Sequence, residues 1–183
     1  MEAAQPYVVM LENDFVRVVS VNLAVGQSPP RYTPASMPMV RVDLTYGKTH
    51  YVDKDSPAQI PNAPIHEIRV ELKKAPDADP NPLDAVKIDP NRYRVDFEND
   101  RVRIVRLSFG PREKGLMVSH PPRVLVTLTD VAVKLLFSDG RTDERGAPAG
   151  VAAWLEAETL QTENARDETL EVVLVEPKSA RGF

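Results

Sequence analysis

Apolar residues recur at alternate positions along much of the chain. Val102 and Ile104 alternate with Arg101 and Arg103, and Val105, Leu107 and Phe109 continue on the opposite parity. Val124, Val126 and Leu128 alternate with Arg123 and Thr127, while Val131, Val133, Leu135 and Phe137 share one face. Leu170, Val172 and Leu174 repeat the pattern near the end. A period of two predicts β-strands with one buried face. Glu12-Asn13-Asp14 and Glu98-Asn99-Asp100 are turn chemistry, because Asn and Asp bond their own backbone and tolerate positive φ. Ser138-Asp139-Gly140 predicts a tight hairpin. Seventeen prolines also suit many short strands better than helices. One segment dissents: residues 152–161, AAWLEAETLQ, have high helix propensity and in isolation predict a helix.

The chain repeats itself. Residues 7–27 align without a gap on residues 93–113, with eight of 21 positions identical, where ordinary residue frequencies would give about one or two. The repeats also end alike, Val70-Glu71-Leu72-Lys73 against Val175-Glu176-Pro177-Lys178. Between them residues 75–91 begin with a Pro- and Asp-rich stretch without apolar periodicity, which predicts an extended linker. The expected organisation is therefore an N-terminal unit, 1–74, a linker, 75–91, and a C-terminal unit, 92–183. The first unit is the shorter, and the loss falls in its middle, so it is expected to be an incomplete counterpart of the second.

Composition narrows the function classes. A hydrophobic fraction of 42% with 27% charged residues is that of a folded globular chain. The net charge is −4, with 23 basic and 27 acidic residues interspersed, so nothing resembles a basic surface that tracks phosphates, and no nucleic acid is expected as a partner. No apolar run is long enough to span a bilayer, so no membrane partner is expected either. The absence of cysteine removes disulfides, thiolate nucleophiles and Cys-ligated metals. The first residues have neither a basic nor an apolar leader segment, so a cytoplasmic location is the default expectation, with an exported, periplasmic mature form left open. No phosphate-cradling loop, dinucleotide fingerprint or nucleophile elbow is present.

Several motifs in the second unit carry a resemblance. They are Asp89-Pro90-Asn91-Arg92-Tyr93, Phe97-Glu98-Asn99-Asp100-Arg101-Val102-Arg103, Phe109-Gly110-Pro111-Arg112-Glu113-Lys114 and Met117-Val118-Ser119-His120-Pro121. Val126-Thr127-Leu128-Thr129-Asp130, Asp139-Gly140, Trp154, Glu163-Asn164 and Val173-Leu174-Val175-Glu176 complete the set. This unit resembles the small bacterial cupins, and the first unit resembles them mainly through its opening strands and its last. The resemblance implies an all-β fold, antiparallel jelly-roll barrels (the double-stranded β-helix) as two tandem cupin-like units, with a cavity at one end and association into homodimers. It also resolves residues 152–161 in favour of strand–turn–strand.

The resemblance implies a divalent-metal site built from a His-x-His on one strand and a His on a later one. This chain departs from it: Val118 and Leu160 stand at two of the three imidazole positions and only His120 is retained. No cofactor is therefore expected, although a divalent metal held by a non-standard set is kept as an alternative. A composite of the three histidines, His50, His66 and His120, is conceivable, and His66 shares parity with Ile68, Val70 and Leu72, so it is expected to face the core. The expected ligand pocket is lined by Val118, His120, Arg123, Trp154 and Leu160. Arg123 would clamp a carboxylate or serve as a strand-edge cation. Trp154 would floor a pocket or pack in the core. Glu163 would act as a base only if buried beside a substrate, and Asn164 reads as a turn residue. Three functions follow in order: a metal-free barrel binding a small apolar or weakly acidic ligand, or serving a structural role; a metal-dependent oxygenase or isomerase; and a subunit whose task is association.

Overall fold

A computed structural model describes residues 6–26, 37–56, 62–77 and 82–178. The chain divides into two compact units, Met1–Lys74 and Ala75–Phe183. In the first, β1 (Tyr7–Glu12), β2 (Val16–Leu23), β3 (Met39–Asp43), β4 (Thr49–Val52) and β5 (Ile65–Leu72) form one antiparallel sheet in the order β1-β2-β5-β3-β4. On one face Val19, Val21 and Leu23 pack with Tyr7 and Ile65.

The second unit opens with a one-turn helix, α1 (Ala85–Ile88), followed by β6 (Tyr93–Glu98), β7 (Val102–Phe109), β8 (Lys114–His120), β9 (Arg123–Thr127) and β10 (Val131–Phe137). It continues through β11 (Thr142–Ala147), β12 (Ala152–Leu155), β13 (Glu158–Asn164) and β14 (Leu170–Pro177). These strands make a five-stranded sheet, β12-β9-β14-β7-β6, and a four-stranded sheet, β11-β10-β13-β8. From β7 onward the chain passes repeatedly from one sheet to the other. That alternation winds a double-stranded β-helix, and Leu107, Phe109, Val172 and Leu174 of one sheet share a core with Val118, Leu135, Phe137 and Leu160 of the other. The helical signal over residues 152–161 loses to the ladder: β12 pairs with β9, and β13 pairs with both β8 and β10.

The five-stranded sheets of the two units match strand for strand. The bulge between Val9 and Leu11 has its counterpart between Val95 and Phe97. Asn13 accepts the amides of Phe15 and Val16, and Asn99 accepts those of Arg101 and Val102. Arg17 bonds Glu71 across β2 and β5 as Arg103 bonds Glu176 across β7 and β14. Among the described residues the first unit has no second sheet, so what is seen of it is an open sheet and not a barrel.

The linker reading needs correction over residues 84–91. Asp84 caps α1 by accepting the Val86 amide at 3.1 Å, and its other oxygen takes Arg103 Nη1 at 2.9 Å. Ala85 is buried in the core, and the Asp89 carboxylate accepts both Arg92 and the Leu116 amide. An Asp ahead of Ala-Val-Lys is a helix-start signal that the surrounding prolines obscured. No helix among the described residues is long and apolar enough to cross a membrane.

Candidate functional site

Three chain segments bring polar groups to one end of the second barrel. Strand β8 ends at His120, the buried pair Pro121-Pro122 turns the chain, and β9 begins at Arg123. Glu158, the first residue of β13, lies directly opposite His120 on the neighbouring strand. They meet a cavity of about 460 Å³ enclosed by Leu107, Leu125, Val133, Leu135, Leu160 and Leu174, with Glu144, Arg145, Ala153 and Leu155 toward its rim. That size and apolar wall suit a small organic ligand.

Arg123 is only 3% exposed. Its Nη2 donates to Glu158 Oε1 at 2.8 Å, and its Nη1 donates to the carbonyls of Pro121 and Glu156 at 3.2 Å each. Glu158 is shared: Arg145 donates to both of its oxygens, at 3.1 and 3.2 Å. Burial pulls the Arg123 pKa down while the Glu158 carboxylate holds it up, and a guanidinium so paired stays charged at neutral pH. His120 is 5% exposed, with its ring 5.4 Å from that of Tyr93. Burial, reinforced by the Arg123 and Arg103 charges, holds its pKa well below the usual histidine range, so the imidazole is neutral at pH 7. Burial pushes the Tyr93 phenol up and outweighs the opposing pull of its bond with the Thr162 side chain, so this phenol also stays protonated. Among the described residues, two buried polar atoms here have no partner: His120 Nδ1 and Arg123 Nε. Unpaired atoms of this kind are rare in folded cores, and each costs on the order of 1–3 kcal/mol.

Of the five residues expected to line the pocket, His120, Arg123 and Leu160 do so. Val118 does not: it is fully buried in the core, directly opposite Leu160 in the β8–β13 ladder. Trp154 does not either. Its neighbours Ala153 and Leu155 line the cavity; Trp154 donates its Nε1 to Glu156 Oε1 at 2.7 Å at the surface. Glu163 pairs across the ladder with Lys134 and Lys114 and lines a groove with them outside this cavity, so it has no place as a base there. Asn164 is fully buried and ends β13, donating to the Gly110 and Glu168 carbonyls and accepting the Arg166 amide. His50 and His66 are exposed on β4 and β5 of the first unit, which corrects the expectation that His66 faces the core. Tyr93, Glu158 and Arg145 were not foreseen. Glu158 shares strand parity with Leu160 and was within reach of that argument, whereas Arg145 carries no signal before the register is known.

The residues present do not fit a divalent metal. Two of the expected ligand positions are aliphatic, and the remaining imidazole feels two guanidinium charges that oppose any further cation. Among the described residues no group of three or more His, Asp or Glu side chains is arranged to hold a metal ion.

A neutral buried histidine makes stability depend on pH. The folded-state pKa of His120 lies below its unfolded value of about 6.5, so its contribution is present above that pH and lost as pH falls below it. Wild type is therefore expected to lose more stability than His120→Leu between about pH 7.5 and about pH 5.5, in urea titrations followed by Trp154 fluorescence. Equal losses would show that His120 is protonated in the folded protein.

No family model and no curated protein matches the chain. Solved structures do. A cupin domain from Bordetella pertussis is 21% identical, with 58% of this chain and 98% of that one covered, at a TM-score of 0.45. A RmlC-like cupin family protein with a double-stranded β-helix fold, from Methanocaldococcus jannaschii, is 12% identical over 49% of this chain and 81% of that one, TM-score 0.40. The polyketide cyclase RemF from Streptomyces resistomycificus is 23% identical over 46% of this chain and 63% of that one, TM-score 0.32. At such identities the likeness concerns fold alone. The strand order itself gives the second unit a double-stranded β-helix fold.

Proposed function

We propose that this cupin-fold barrel is a metal-free binding module for a small molecule with an apolar body and one polar head, and that the first unit is a duplicate of its five-stranded sheet. One observation carries the binding reading. An apolar cavity of about 460 Å³, walled by leucines and valines of both sheets, ends on the buried residues His120 and Arg123. Leucines and valines from both sheets would bury the body of the ligand, and the polar side chains at the end of the cavity would orient its head.

The test is ligand-dependent stabilisation, since a compound that binds only the folded state raises the melting temperature. A panel of small aromatic and alicyclic compounds with one oxygen function is expected to include members that stabilise wild type in a concentration-dependent way. Ala153 is exposed at the rim on β12. Ala153→Trp should leave folding intact, occupy the mouth and weaken binding by at least about tenfold. Undiminished binding by that variant, or no stabilisation by any compound, would overturn the reading.

A further inference from the structure

The two five-stranded sheets serve as internal controls on each other. Strands β1, β2, β3, β4 and β5 match β6, β7, β9, β12 and β14, and the ladders keep one register: Val40 pairs with Val70 as Val124 pairs with Val175. Residues opposite each other in a ladder share a face. Where the second unit carries Leu125, Val172 and Leu174, which wall its cavity, the first carries Arg41, Glu67 and Arg69 on the same face. Tyr7 stands beside them at the position of Tyr93, and His50 takes the place of Ala153 at the rim. Three apolar wall residues have become an ionic cluster on the same scaffold.

Glu67 is 4% exposed and sits at the centre of the cluster. It accepts Arg41 Nε at 3.1 and 2.9 Å, Arg41 Nη2 at 2.8 Å and Arg69 Nε at 2.6 Å. Two guanidinium charges thus meet one carboxylate. The other acid on this face, Asp43, gives its Oδ1 to the amides of Thr45 and Tyr46, at 2.7 and 3.0 Å. A buried ion cluster is often no more stabilising than apolar residues of similar volume, and the second unit shows that the sheet forms with leucine and valine at these positions. Stability therefore does not account for the charges. The cluster is also open on one side. The Arg41 side chain is 29% exposed, and its Nη1 has no hydrogen-bond partner among the described residues. His50, directly opposite Arg41 on β4, is exposed.

We infer that Arg41 and His50 hold a small oxyanion, a carboxylate or a phosphate group, on the inner face of the first unit's sheet. Glu67 occupies one edge of the Arg41 guanidinium and fixes its plane, and the Nη1 hydrogens remain for a second acceptor. Opposite side chains in a ladder stand about 5 Å apart at Cβ, so the His50 ring can donate to the same anion. Arg69 supplies the second positive charge that Glu67 leaves uncancelled. This site is separate from the cavity of the second unit and does not depend on that reading.

The test is an NMR titration of the full chain at one fixed pH and constant ionic strength, in which sodium phosphate or sodium acetate replaces sodium chloride. The signals read are the Arg41 Nε–H and the His50 ring. Saturable shifts at both residues are expected with at least one of the two anions, and the tighter of them tells a phosphate ligand from a carboxylate. Arg41→Gln leaves Glu67 its bond to Arg69, so the unit should fold, and the affinity at His50 should fall by at least about tenfold. The triple variant Arg41→Leu, Glu67→Val, Arg69→Leu carries the second unit's residues at the matching positions. It is expected to stay folded and to lose the saturable response. No saturable shift with either anion, or undiminished affinity in Arg41→Gln, would overturn the site. An unfolded triple variant would also overturn it, by showing that the sheet needs these charges for its structure.

Discussion

Replacing Arg103 with leucine is expected to destabilise the second unit by about 3–5 kcal/mol, while Arg17→Leu at the matching position of the first costs about 0–1 kcal/mol. The two arginines make the same cross-strand contact in sheets of the same order, so the difference lies in solvent. The side chains of Arg17 and Glu71 are 39% and 8% exposed, against 8% and 2% for Arg103 and Glu176. Removing Arg103 strands a carboxylate in the core and takes away one partner of Asp84, the cap of α1. Glu176 would respond by holding a proton. Burial already raises its pKa and Arg103 opposes that shift, so the variant raises it further. A folded-state pKa raised above the unfolded value stabilises at low pH, and that contribution fades as pH rises through the folded value. The cost of Arg103→Leu should therefore shrink in acid. Urea titrations followed by Trp154, the single tryptophan and a reporter within the second unit, measure this for Arg103→Leu, and amide hydrogen exchange in β2 and β5 measures the cost of Arg17→Leu in the first. Equal costs for the two variants would show that the buried pair is no more than a surface contact.

The second large effect belongs to the cavity. Glu158→Leu leaves Arg123 buried with only the Pro121 and Glu156 carbonyls, and is expected to cost about 3–5 kcal/mol. Adding Arg123→Met removes the stranded cation and should recover most of that loss, because a buried ion pair exchanged for apolar groups of similar volume is often nearly neutral. The double-mutant cycle isolates the coupling. Additive losses would mean that Arg123 and Glu158 do not depend on each other in the folded protein.

The strands were legible because period-two patterning survives wherever one face is buried. Val102 to Phe109 and Leu170 to Leu174 declare themselves on that ground. The repeat was legible because Asn13 and Asn99 close the same turn and the Arg–Glu pairs recur with it. Residues 152–161 were not legible from propensity, since a helix former becomes a strand when the ladders on both sides require it. The site was half legible. The resemblance placed Val118, His120 and Leu160 at the pocket, but Val118, opposite Leu160 in the β8–β13 ladder, is fully buried in the core and leaves the lining to Leu160. Trp154 was misplaced because an aromatic residue suggests a pocket floor, while strand parity gives that role to Ala153 and Leu155. The Arg123–Glu158–Arg145 cluster joins residues 35 and 13 positions apart, and nothing short of strand register brings them together.

The most direct test of the central claim is where a ligand sits. In methyl-labelled protein titrated with 2-naphthol, ring-current shifts are expected at Leu107, Leu125, Val133, Leu135, Leu160 and Leu174, which enclose the cavity, and not at the exposed Val8, Val9 and Leu116. Shifts confined to those exposed residues, with the six cavity methyls unmoved at saturation, would contradict the assignment of the barrel interior as a binding site.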